Sequence, residues 1–175
     1  MRHLLLFRHA EAERSEPGMN DHTRVLTAAG REEAARIGAY LASHSFNADR
    51  IAVSTAVRAQ QTWACVAAAL PNVRAAEAVE RLYDATPGGI LDVIMQTPAA
   101  AETVLVVAHN PGLHELALLL TASGDIEARE HMHEKFPTCG LAIIEFPVDA
   151  WSKLHPRAGR LERFISPKLL AAKTN

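Results

Sequence analysis

Cysteine is scarce: Cys65 and Cys139 are the only two in 175 residues. So few, so far apart, exclude a disulfide framework and a four-cysteine zinc site, and a reducing compartment, the cytoplasm, is the expectation. Charge of one sign is also missing. Eighteen Lys and Arg stand against twenty Asp and Glu, a net charge of −2. That balance argues against a protein built mainly to coat nucleic acid or anionic lipid. Long apolar runs are absent too. Leu4-Leu5-Leu6-Phe7 follows a basic start but is cut short by Arg8-His9 and reaches no small-residue cleavage site. No stretch approaches the ~20 apolar residues of a bilayer span, so neither signal peptide nor membrane segment is expected. No internal repeat, low-complexity tract or linker divides the chain. With 49% hydrophobic residues, one domain over residues 1–175 is expected.

What is present is alternation. Short β-rich runs exchange with longer alanine-rich helical patterns, the signature of crossover units, which predicts an α/β fold: three layers, α/β/α, around a mostly parallel sheet. Strands are expected at Leu4 to Phe7, Ile51 to Val53, Val104 to Ala108, Leu141 to Phe146 and Leu161 to Ile165. A helix capped by Thr27 should run to about Ser45, with Ala35, Ile37, Gly38, Leu41 and Ala42 on its apolar face. Further helices are expected over Val57 to Leu70, Pro87 to Gln96, and from Asn110-Pro111, where Asn110 would cap and Pro111 open the first turn.

The chemistry collects after the strands. Leu4 to Phe7 runs into Arg8-His9, Ile51 to Val53 into Ser54 through Arg58, and Val104 to Ala108 into His109-Asn110. In a parallel sheet these sites share one carboxyl edge, where open α/β folds bind ligands. Two arginines and two histidines brought together repel one another and call for an anion. Phosphate suits them best, because guanidinium forks match tetrahedral oxyanions and helix starts add N–H donors. A neutral imidazole adds the capacity to accept and release a phosphoryl group.

These segments carry a resemblance. Leu5 through Glu11 resembles the Arg-His signature of the histidine phosphatase superfamily, the phosphoglycerate-mutase-like enzymes. Leu26-Thr27-Ala28-Ala29-Gly30 is similar to its Leu-Thr-x-x-Gly helix entry, Ser54 through Thr62 to its Ser-x-x-x-Arg-Ala-x-Gln-Thr segment, and Val107 through Gly112 to its second-histidine motif. The order is also the family's, over roughly Met1 to Leu120. The chain most resembles the short phosphohistidine-phosphatase branch, whose members act on phosphorylated histidine in signalling phosphotransfer domains.

The resemblance implies His9 as nucleophile, with Arg8, Arg58 and His109 holding phosphate, and no metal or cofactor. Three departures stand out. Ala10 replaces a common glycine and Thr55 a common proline. Where many members present glutamate in a Leu-x-Glu context as general acid, Leu82-Tyr83-Asp84 offers only the shorter Asp84, with Glu80 as the weaker alternative. Weak proton donation favours phosphohistidine over alkyl phosphates, since imidazole leaves with little help. Short loops, with only Glu11 to Val25 available to cover the site, point to an open pocket that admits a protein side chain. The expected partner is therefore a phosphorylated protein, a histidine phosphotransfer domain among the candidates, or else a small phosphate ester. A broader phosphomonoesterase and a noncatalytic phosphate-binding module are the alternatives.

Other features receive blander readings. Asp21 and Arg24 either pair to fix the entry loop, or Arg24 reaches the pocket rim. His131-Met132-His133 is a weak metal pattern without further ligands at suitable spacing. Residues Ala122 to Phe136 are expected as a polar excursion bordering the site, and Cys65 as a core residue. From Trp151 onward six Lys or Arg face Glu162 alone, +5 against −7 for the remainder, which reads as a solvated edge and otherwise as a landing surface for an acidic partner.

Overall fold

Apolar side chains alternate along the central strands, and this splits the core into two faces of one sheet. The computed structural model describes residues 1–173. In chain order the elements are β1 (Arg2–Arg8), α1 (Ala28–Ser43), β2 (Arg50–Ser54), α2 (Val57–Ala67), β3 (Glu77–Val79), α3 (Pro87–Met95) and β4 (Thr103–Ala108). There follow α4 (Gly112–Leu120), β5 (Thr121–Gly124), α5 (Ile126–Glu134), β6 (Leu141–Phe146), β7 (Gly159–Ile165) and α6 (Pro167–Lys173). Leu4, Leu6, Val104 and Val106 pack with Ile90, Val93, Leu113 and Leu116 of α3 and α4 on one face. Leu5, Phe7, Leu105 and Val107 pack with Ile37, Leu41, Trp63 and Val66 of α1 and α2 on the other. Strands covered on both sides read as unbroken apolar runs, which is why β1 and β4 stand out in the sequence.

The seven strands lie in the order β3-β2-β4-β1-β6-β7-β5. The half from β3 to β1 is wholly parallel, whereas β6 runs antiparallel to both β1 and β7, and β5 pairs parallel with β7 at the far edge. The fold is the three-layer α/β/α arrangement read from the sequence, with one antiparallel insertion.

Several local expectations need correction. Ala34 rather than Ala35 faces the core from α1. α2 stops at Ala67, short of Leu70. Pro111, not Asn110, occupies the cap position of α4, and the Asn110 side chain instead donates to the carbonyl of Phe136 at 2.8 Å. The polar segment before Phe136 contains most of β5 and all of α5, and α5 buries only Met132. On a helix, His131 and His133 diverge by about 200°, so the two rings share no face and the pattern holds no metal site.

Candidate active site

Strands β2, β4 and β1 are neighbours, and their register leaves Val53, Val107 and Phe7 level across the sheet. Whatever follows each strand therefore emerges along one edge. Arg8 closes β1 and His9 follows it, Ser54 closes β2, and His109 follows β4, while α2 returns over the edge with Arg58 in its first turn. The rings of His9 and His109 stand 5.1 Å apart.

His9 is buried, and its Nδ1 lies 2.7 Å from the carbonyl of Ala10. A carbonyl can only accept, so Nδ1 carries the proton and Nε2 keeps its lone pair. Burial pushes the His9 pKa down to about 3 against the opposing Ala10 hydrogen bond, and His109, Arg58 and Arg8 press it the same way. The ring is neutral at physiological pH. His109, also buried, is pushed down to about 4 by burial and then by Arg58, and its Nε2 shares a 2.7 Å hydrogen bond with the Ser54 hydroxyl.

Arg8 donates to the Phe136 carbonyl at 3.0 Å, and burial lowers its pKa. Arg58 donates to the backbone carbonyl of Asp21 at 2.8 Å and to its carboxylate at 3.1 Å. Nε of Arg8, Nε of Arg58 and Nδ1 of His109 are nonetheless buried without a hydrogen-bond partner. Buried polar groups are normally satisfied, so guanidinium donors left over in one cluster fit an acceptor that arrives from outside the chain. A tetrahedral anion meets that description.

The remaining motif residues build the frame. Gln61 accepts the backbone N–H of Leu26 at 2.8 Å, and Thr27 accepts that of Gly30 at 2.9 Å, capping α1 as expected. A Cβ on Gly30 would lie 2.2 Å from the Glu11 carbonyl, so only glycine lets α1 approach the Glu11 backbone this closely. Ala10 is fully buried without a left-handed backbone, so its methyl is accommodated. Thr55 takes a hydrogen bond with His22 at 2.9 Å that proline could not make.

Asp84 sits on left-handed backbone at φ 51°, exposed, as is Glu80. Neither makes a hydrogen bond within the cluster. Tyr83, one residue earlier, does: its hydroxyl donates to Asp21 at 2.7 Å and its ring packs edge-on 5.7 Å from His109. Asp21, Tyr83, Ser54 and the carbonyls of Ala10 and Phe136 are site components that sequence reasoning did not assign. Of these only Ser54 and Asp21 had a signal, the first through its motif and the second through its spacing to Arg24.

The Ser54-through-Thr62 and Arg8-His9 segments lie within residues 4–91, which match the family model described as histidine phosphatase superfamily, branch 1. The chain belongs to the histidine phosphatase superfamily. An uncharacterized protein of Mycobacterium tuberculosis, Rv1276c, is 35% identical over 163 residues, covering 92% of this chain and 99% of that one. Among solved structures, the "Putative Phosphohistidine Phosphatase SixA" of Nakamurella multipartitia superposes with a TM-score of 0.79 at 27% identity, over 95% of this chain and 96% of that one. The protein histidine phosphatase SixA complexed with tungstate gives 0.76 at 22% identity, over 96% and 99%, and adds support for the fold. Membership makes this a histidine-phosphatase-type phosphohydrolase.

Among the described residues, the three metal-ligating side chains that come together are His3, Glu145 and Glu162, at the opposite end of β1 from His9 and so ~20 Å away. Arg160 already holds Glu145 at 3.0 Å. This group takes no part in the site. Of the basic C-terminal residues, Arg160, Lys153 and Arg163 are engaged with Glu145, Asp149 and the Tyr40 hydroxyl. Cys65 is half-buried against the α1–α2 side of the core; Cys139 is buried there and burial raises its thiol pKa. No helix among the described residues is long and apolar enough to cross a membrane.

Proposed function

We propose that the chain is a protein phosphohistidine phosphatase that works through a phospho-His9 intermediate, without metal. The observation that carries this reading is the pairing of a neutral His9, its Nε2 unencumbered, with a carboxylate that is ion-paired to the arginine clamp and so donates no proton. That carboxylate, Asp21, is held ionised with a pKa of about 2, chiefly by the Tyr83 hydroxyl and, against its partial burial, by Arg58 and Arg24. Expelling an alkoxide demands a strong acid at the leaving oxygen; expelling imidazole, whose conjugate acid has a pKa of about 6.5, does not.

In the first step Nε2 of His9 attacks phosphorus in line, and the bond to the substrate nitrogen breaks with its electron pair returning to the substrate ring, which enters protonated on its second nitrogen and leaves as neutral imidazole. Arg8 and Arg58 supply the positive charge that neutralises the equatorial oxygens, with His109 beside them. Preorganised charge of this kind is the largest contribution such sites make. α2 begins without a side-chain cap, which leaves N–H groups of its first turn available to an anion. Water then takes the phosphoryl group from His9 and restores the neutral ring. Asp84, exposed at the rim, is the candidate donor for substrates that need one, so its loss should matter for alkyl phosphates and little for phosphohistidine. A phosphorylated protein such as a histidine phosphotransfer domain is the substrate class that the likeness to the "Putative Phosphohistidine Phosphatase SixA" favours.

The deciding experiment quenches the enzyme in alkali during turnover of labelled phosphohistidine and maps the label. Label on His9 is expected. Label elsewhere, or turnover of alkyl phosphates matching that of phosphohistidine, overturns the reading.

A further inference from the structure

Asp21 lies 37 residues from Arg58 in sequence, yet the fold sets its carboxylate at the mouth of the arginine clamp. The single turn Asp21–Thr23 is held by the Asn20 side chain, which accepts the His22 N–H at 3.0 Å. From there one carboxylate oxygen accepts from the Tyr83 hydroxyl at 2.7 Å and from Arg58 at 3.1 Å, and the other accepts from Arg24 Nε at 2.8 Å. The side chain remains 47% exposed. A carboxylate offers about four acceptor positions, so one is left over.

A standing negative charge at this place is a handicap for any dianionic phosphate monoester, which it repels. For a substrate whose leaving group presents an N–H or a positive charge, it is an advantage. A phosphorylated imidazole protonated at its second ring nitrogen, the form that leaves as neutral imidazole, presents both, and the ester oxygen of phosphoserine presents neither. We infer that Asp21 is a specificity-determining residue whose carboxylate accepts a hydrogen bond from the unphosphorylated ring nitrogen of a phosphohistidine substrate and selects that leaving group against phosphate monoesters. The inference rests on the phosphohistidine reading of the same site.

The balance of the step requires no proton transfer to Asp21. As Nε2 of His9 bonds to phosphorus, the substrate P–N bond breaks and its electrons neutralise the positively charged ring. The ring departs as neutral imidazole with its N–H still directed at the carboxylate. Asp21 begins and ends the step as an anion. Arg58, bound to the same carboxylate, grips the phosphoryl group, so one ion pair reads both halves of the substrate.

The test compares wild type, Asp21→Asn and Asp21→Glu on phosphohistidine and on p-nitrophenyl phosphate, whose leaving group has no N–H donor. Asp21→Asn should lose on the order of 10- to 100-fold in kcat/KM on phosphohistidine, the range for a hydrogen bond to a charged group. On p-nitrophenyl phosphate, where Asp21 only positions Arg58, the loss should be at least about fivefold smaller, and Asp21→Glu should recover part of the phosphohistidine loss. Both substrates are read on each preparation, so loss of folded protein cancels from their ratio. Equal losses on the two substrates, or no loss on either, overturn the assignment of Asp21 while leaving the phosphatase reading intact. Failure of the wild type on phosphohistidine alongside turnover of p-nitrophenyl phosphate overturns the phosphohistidine reading and this inference with it.

Discussion

The Thr62 hydroxyl accepts the backbone N–H of Ala10 at 2.9 Å while donating to the carbonyl of Arg58 at 2.6 Å. One side chain of α2 thus anchors the residue whose carbonyl sets the His9 tautomer and the backbone that carries the phosphate clamp. Thr62→Val keeps the shape and leaves the buried Ala10 N–H unpaired. It should cost about 1–3 kcal/mol in urea denaturation and reduce turnover as well, because the Ala10 carbonyl loses its fixed position. Unchanged stability would show that the hydroxyl is dispensable.

Arg58 should be the costliest residue to lose after His9. Arg58→Ala removes a preorganised charge from the transferring group and should reduce kcat on the order of 10²–10³-fold. Arg58→Lys should recover only part of this, since an ammonium cannot span the phosphate oxygens and the Asp21 carboxylate with one planar fork. Steady-state kinetics on phosphohistidine and p-nitrophenyl phosphate check both, and a loss of under threefold for the alanine variant would remove Arg58 from the clamp.

How legible this was in the sequence depended on burial. β1, β2 and β4 could be read because both their faces are covered, leaving apolar runs with reactive residues immediately after them. β3, three partly exposed residues at the sheet edge, has no such run, and α5 buries only Met132, so no apolar stripe marks it as a helix. The antiparallel placement of β6 is equally silent, since a strand buried on both faces reads the same in either direction. The meeting of Asp21 with Tyr83 was illegible for a different reason. Their contact spans 62 residues, and local spacing carries nothing about it.

Gly112 opens α4 against the Ala85-Thr86 backbone. A Cβ there would stand 2.1 Å from the Ala85 carbonyl oxygen, and backbone cannot yield as a side chain tip does. Gly112→Ala should therefore destabilise by about 1–3 kcal/mol and disturb His109, three residues before it. Gly88→Ala is the control. Its nearest neighbour would be 4.0 Å away, on an exposed helical turn, so alanine there should be neutral or stabilising by up to about 1 kcal/mol. Chemical denaturation of the pair checks the contrast, and equal midpoints would contradict it.

The two site histidines make stability depend on pH in a definite direction. In the folded chain His9 is pushed down to about 3 and His109 to about 4, both mainly by burial, whereas unfolded imidazoles titrate near ~6.5. Between those values the unfolded chain binds protons that the folded one refuses. Stability is therefore greatest above about pH 7 and falls as pH drops through 6.5, by up to about 1.4 kcal/mol per pH unit for each ring. Asp21, held near 2 in the fold, continues the loss below the ordinary carboxylate range of ~3.9. The nucleophile itself stays neutral across this window, so acid inactivation should follow unfolding rather than protonation of His9. Histidine NMR titration reads this directly: the His9 ring should show no protonation between pH 5 and about 7 while the protein remains folded. A His9 resonance titrating above 6 would mean that the ring is more hydrated than its packing implies, and the source of its neutrality would have to be sought elsewhere.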